Sequence, residues 1–191
     1  MSIRRSSILR FAITASLAAA LCSQLAAQSS KDSDAGIKFS TQATAREVGL
    51  PLYPGATPHK EAKGDSSAAN MGLWGNSFGL KLVVLKLQSK DSTDKVAAFY
   101  QKALAKYGKV LNCTPGSKDA LASKDADKEK DKSSKNTLTC DSDDGDKDGQ
   151  VFKSGTKNKQ HIVAVQPNGQ GSVFQLVYVD THGIDDDEHA Q

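Results

Sequence analysis

The clearest hydrophobic pattern lies at residues 80–87, LKLVVLKL, which are apolar on both faces at their centre. Such a run predicts a strand inside a sheet rather than at its edge. The period then changes. Val96, Phe99, Tyr100, Ala103, Leu104 and Tyr107 recur at helical spacing and form one apolar face. Asp91 or Ser92 is placed to cap that helix, Asp94 lies in its first turn, Lys106 in its last, and Gly108 is suited to end it. Near the end of the chain, Phe174, Leu176 and Tyr178 alternate with Val173, Gln175, Val177 and Val179. This strand follows another at residues 160–166, and Asn168-Gly169 between them supplies the turn of a hairpin.

The remaining pattern is weaker. Pro51 and Pro54 bias their predecessors to extended conformations, so residues 49–56 form an arm that lays Leu50, Leu52 and Tyr53 on a core. Residues 57–70 are polar and loop-like. Gly72, Gly75 and Gly79 interrupt Met71, Leu73, Trp74 and Phe78, which suggests an irregular or bulged strand. Residues 109–113 and 137–140 are short strand candidates, and their pairing would make a second hairpin. Strand, helix and antiparallel strands in this order predict an α+β fold, one amphipathic helix packed on a mainly antiparallel sheet, with a charged disordered insertion.

Four stretches fall outside that core. Residues 1–27 carry Arg4, Arg5 and Arg10, a short apolar run at 11–21, and Leu25-Ala26-Ala27. That order is a secretory signal peptide cleaved after Ala27, and the run is too short to span a bilayer. Residues 28–46 are polar and read as a flexible leader, with Phe39 an isolated bulky residue. Residues 115–136 form the insertion; between 117 and 135 six lysines nearly cancel five acidic residues. Almost nothing there is apolar, so it reads as solvated; the alternative is a short charge-paired helix, since Ala and Lys favour helix, marginal on its own. A single folded domain is expected over residues 47–183, and residues 184–191 form an acidic tail.

Export changes the charge and the cysteines. The chain carries 25 basic and 22 acidic residues, a net +3. Loss of the three signal arginines leaves the mature chain formally neutral, so no basic footprint argues for nucleic acid. No later apolar stretch is long enough for a membrane span. Cys22 leaves with the signal, and Cys113 and Cys140 remain as one pair. In an oxidising compartment these form a disulfide.

Residues 50–56, LPLYPGA, with a strand and then residues 91–100, DSTDKVAAFY, followed by Leu104 and Gly108, resemble a pattern found in small exported bacterial proteins. These carry a "YPGA" arm and a "DS-x-x-x-V-x-x-FY" amphipathic helix. The resemblance covers about a third of the chain. It implies an envelope-associated α+β domain and transfers no catalytic residue.

The chemical candidates are few. Asp144, Asp146 and Asp148 with Gly149 spell D-x-D-x-D-G, the first half of an EF-hand-type calcium loop, with Val151 as its apolar anchor. The closing glutamate is missing, since Gly155 stands at the twelfth position. The alternative is a solvated acidic loop. His59, His161, His182 and His189 show no paired metal-ligand spacing. Trp74, Phe78, Tyr53 and Tyr178 are candidates for a ligand groove or for core. No nucleophile elbow or phosphate-binding loop is present. The sequence therefore predicts a non-catalytic binding or structural domain of the envelope, periplasmic or secreted, acting on an envelope or extracellular partner. A calcium-stabilised module and a hydrolase with a non-local site are the alternatives.

Overall fold

A computed structural model describes residues 35–129, 137–141 and 148–183. These build an eight-stranded antiparallel sheet with three α-helices. The strands are β1 (Gly36–Ser40), β2 (Thr57–Pro58), β3 (Ala68–Trp74), β4 (Gly79–Ser89), β5 (Leu111–Asn112), β6 (Gln150–Thr156), β7 (Lys159–Asn168) and β8 (Gly171–His182). The helices are α1 (Ala45–Val48), α2 (Thr93–Leu104) and α3 (Lys118–Glu129), and a 3-10 turn, Ala105–Tyr107, extends α2. The strand order is β1-β3-β4-β8-β7-β6-β5, with β2 continuing the β3 side of β4. The fold is α+β, as the sequence predicts.

Alternation along the central strands divides the sheet into two faces. Val83, Leu85 and Leu87 of β4, Val163 and Val165 of β7, and Phe174 and Leu176 of β8 point to one side and are buried. Val96, Ala97, Tyr100 and Leu104 of α2 close over them. The proline arm enters the same core through Leu50 and Tyr53, while Leu52 is 55% exposed, against expectation. The spacing of three between Leu50 and Tyr53 matches the three-residue turn of a proline-rich extended chain. Within the core, the Tyr53 N–H donates to the Tyr100 hydroxyl at 3.1 Å. The Tyr53 hydroxyl donates to Asp91 Oδ2 at 2.8 Å. Asp91 thus anchors the arm, while Ser92 is the α2 N-cap residue and makes no side-chain capping bond.

The opposite face is covered at the β5–β7 end. Leu111, Cys113, Ala120, Cys140 and Val151 form a second cluster around the Cys113–Cys140 disulfide. The disulfide joins the residues expected, but the hairpin proposed to carry it does not form. β5 pairs with β6, and residues 137–140 form no strand. β6 takes the place beside β5, and its Val151 packs in the cluster, where Cys140 and Leu138 also lie without forming a strand.

The described residues of two segments expected to be flexible or solvated form regular elements. The leader contains β1 and α1, because β3 offers a free edge to β1 and Thr44 caps α1. The charged insertion contains α3. The Ser117 hydroxyl accepts the Ala120 N–H at 3.3 Å, and Asp119 Oδ2 accepts the Asn112 N–H at 2.9 Å. Ala120 and Ser123 are buried, and the Ser123 hydroxyl accepts the Cys140 N–H at 3.0 Å. Small residues and capping bonds, rather than an apolar stripe, hold this helix beside the disulfide. Among the described residues no helix is long and apolar enough to cross a membrane.

The loop glycines also depart slightly from expectation. Asn168 pairs with Gly171, so the last hairpin turns at Gly169-Gln170, one residue later than predicted, with Gly169 at φ 60°.

Candidate functional site

The α2 core stops short of one end of the sheet. Beyond Tyr107, the helix-side face opens into a recess of about 580 Å³, lined by α1, the 3-10 turn and strands β4, β6, β7 and β8. Its size suits a small organic ligand.

α1 is built locally. Thr44 and Glu47 form a reciprocal capping box: the Thr44 N–H donates to Glu47 Oε2 at 2.8 Å, and the Glu47 N–H donates to Thr44 Oγ1 at 3.3 Å. The other Glu47 oxygen accepts from Asn70 Nδ2 at 2.8 Å, tying α1 to β3. The Thr44 hydroxyl, which donates to Glu47 Oε2 at 2.9 Å, and then the Thr44 N–H hold the Glu47 carboxyl below its ordinary pKa. The helix ends at Gly49, whose φ of 79° is left-handed.

The two carbonyls at that end are pinned from outside. Val48 O accepts from His161 Nδ1 at 2.9 Å. Gly49 O accepts from Lys106 Nζ at 2.7 Å and from the Tyr107 hydroxyl. A carbonyl only accepts, so Nδ1 carries the proton and Nε2 of neutral His161 carries the lone pair. Burial pushes the His161 pKa below 6.5, with Lys106 and Lys159 adding to the shift. The imidazole is therefore neutral near pH 7.

His161 is held between two phenols. Its centroid lies 3.5 Å from the Tyr107 ring and 4.9 Å from the Tyr178 ring. The Tyr178 hydroxyl donates to Asp180 Oδ2 at 2.7 Å, and Asp180 also pairs with Lys159 at 3.4 Å. Burial, and then the Asp180 bond, push the Tyr178 pKa upward, so the phenol stays protonated. Arg46 and Lys81 are exposed at the rim.

Ser154 lies opposite His161 across β6 and β7, but its Oγ is buried without a hydrogen-bond partner. The Nε2 of neutral His161 is base-like. A larger recess of about 730 Å³ lies between residues 54–57, 88–91 and 168–171, lined mainly by polar and glycine residues and containing no aromatic ring.

The sequence-predicted residues are scattered. Asp144 and Asp146 lie outside the described residues, while Asp148 sits exposed in the turn before β6. Among the described residues no group of three or more His, Cys, Asp or Glu side chains is placed to hold a metal ion. Val151, expected as the anchor of a calcium loop, is core. Of the aromatic candidates, Tyr178 lines the recess and Trp74 lines a neighbouring one, whereas Tyr53 is packed under α2. His59 bonds Gln88 at 2.9 Å, far along β4. Tyr107 and His161 were legible only as a helix-end aromatic and a strand histidine. No spacing in the sequence joins them, because 54 positions separate residues that the sheet brings into contact. Comparison with protein-family models, curated proteins and solved structures gives no match.

Proposed function

We propose that the protein is a non-catalytic binding domain exported to the bacterial envelope or beyond, and that its ligand enters the recess beside His161. The carrying observation is the pinned, neutral imidazole stacked on Tyr107 in an open cavity. A histidine whose Nδ1 is committed to backbone presents one defined acceptor, Nε2, and does not need to reorganise on binding. Apolar ring faces supply contact area at low conformational cost. The signal-like residues 1–27 and the Cys113–Cys140 disulfide support export, since such bonds persist in oxidising compartments.

Ligand-observed NMR with a set of small aromatic compounds tests the site. Thr156 is exposed at the mouth, and Thr156→Trp should fill it without disturbing the core. Compounds that bind the wild type and are lost with Thr156→Trp support the reading. Binders indifferent to the tryptophan, or no binder, overturn it. Amino-terminal sequencing of the exported protein tests localisation: a chain beginning at Gln28 is expected, and an uncleaved cytosolic chain contradicts it.

A further inference from the structure

The recess continues past Lys81. On the far side of Lys81 and Glu47 lies a second cavity of about 410 Å³, walled by Trp74 and His182. Gly79, Lys81 and Val83 alternate along β4, and Val83 pairs with Tyr178, so both cavities open on the same face of the sheet. Glycines make room there. A Cβ on Gly79 would lie 2.0 Å from the His182 ring, and one on Gly36 would lie 2.5 Å from the Trp74 indole.

The charges along this groove are unevenly satisfied. Both acids are engaged within the fold, Glu47 by Thr44 and Asn70, and Asp180 by Tyr178 and Lys159. Arg46 makes no hydrogen bond or ion pair with any described residue. The Lys81 side chain makes none either; its charge acts on the Glu47 carboxylate at longer range and lies 5.8 Å from the Tyr178 ring centroid. Three side-chain cations with no hydrogen bond or ion pair among the described residues, Arg46, Lys81 and Lys38, therefore border the two cavities, whose walls include flat rings.

We propose that this groove binds an organic anion bearing a flat ring, with Arg46 and Lys81 holding the anionic group and the ring resting against the Tyr178 and His161 side. This rests on the reading of the recess as a binding site and adds the class of ligand. A planar guanidinium matches the oxygen pairs of carboxylate and phosphate alike. Groups lacking that charge leave both cations unanswered, and a cationic ligand meets them as repulsion.

Calorimetric titration of the full disulfide-bonded protein separates the possibilities. The probes are p-hydroxybenzoate, phenyl phosphate, neutral p-hydroxybenzyl alcohol and cationic tyramine. At least one anionic probe should bind about tenfold more tightly than the alcohol, a difference of about 1.4 kcal/mol. The stronger of the two anions identifies carboxylate or phosphate as the preferred group. Arg46→Gln and Lys81→Gln should each erase most of that preference. Both positions are exposed, so folding should be retained. If the alcohol or tyramine binds as well as the anions and Thr156→Trp removes that binding, the anion inference falls and the binding site stands. If no probe binds and no other aromatic compound is displaced by Thr156→Trp, both fall.

Discussion

The imidazole of His161 lies 3.5 Å from the phenol of Tyr107, centroid to centroid, with the two planes 16° apart. Tyr107 reaches this position because α2 tightens into a 3-10 turn over its last three residues and stops at Gly108, where φ is 127°. The stack joins the end of the helix to β7 and, through the Val48 and Gly49 carbonyls, to the end of α1. Tyr107→Phe keeps the stack and loses one hydrogen bond, and it should cost about 1 kcal/mol. Tyr107→Ala removes both and leaves a gap, and it should cost about 2–4 kcal/mol. Urea melts compare the two. Equal costs would mean that the hydroxyl, not the ring, carries the contribution.

Acidification should weaken the fold through His161. Its folded pKa lies below the ordinary 6.5 because burial disfavours the imidazolium. The unfolded state therefore binds the proton first. The stability tied to this group is complete above about pH 6.5 and is lost as the pH falls toward the folded pKa. Melting temperatures from pH 8 to pH 5 should decline over this window in the wild type. His161→Gln should flatten the decline there, although its melting temperature is lower throughout. A parallel decline in the variant would assign the effect to carboxylates instead.

Gly49→Ala should damage the fold and the recess together. The φ of 79° costs an L-residue about 1–2 kcal/mol, and the added methyl would lie 2.6 Å from the Tyr107 hydroxyl. Gly55→Ala, at a similar φ of 72°, meets no atom within 4 Å, so it serves as the comparison with backbone strain alone. Differential scanning calorimetry should show the larger loss at Gly49.

Cys113→Ser with Cys140→Ser should remove about 3–4 kcal/mol, the loop-closure entropy expected for residues 27 apart. It should also loosen α3, whose Ser123 is bonded to the Cys140 backbone. Hydrogen exchange along α3 that is faster than in the wild type, with β7 and β8 still protected, is the expected pattern. Uniform loss of protection would show that the disulfide supports the whole domain.

The main elements were legible where burial imposes a strict period. β4, α2 and β8 each carry a face that must be covered, and their alternation appears in the residues themselves. The elements missed owe their order to neighbours. β1 is ordered by the free edge of β3, and α3 by Ser117, Asp119 and Ser123, polar residues whose bonds leave no hydrophobic signature. In the sequence Val151 reads as part of an acidic loop, which hides β6 as the partner of β5. The candidate site was barely legible, for a related reason. Its key contacts are a ring stack and two backbone carbonyls, and neither Tyr107 nor His161 belongs to a local motif.

The most direct measurement follows the side-chain nitrogens of His161 in ¹⁵N-labelled protein during titration with p-hydroxybenzoate. If the recess is the binding site, the Nε2 signal should shift and saturate while Nδ1 remains protonated. The amides of Gly49 and Gly155, which line the same cavity, should move with the same midpoint. A silent His161, with shifts confined to the turn around Gly169 or spread evenly over the surface, would contradict the account.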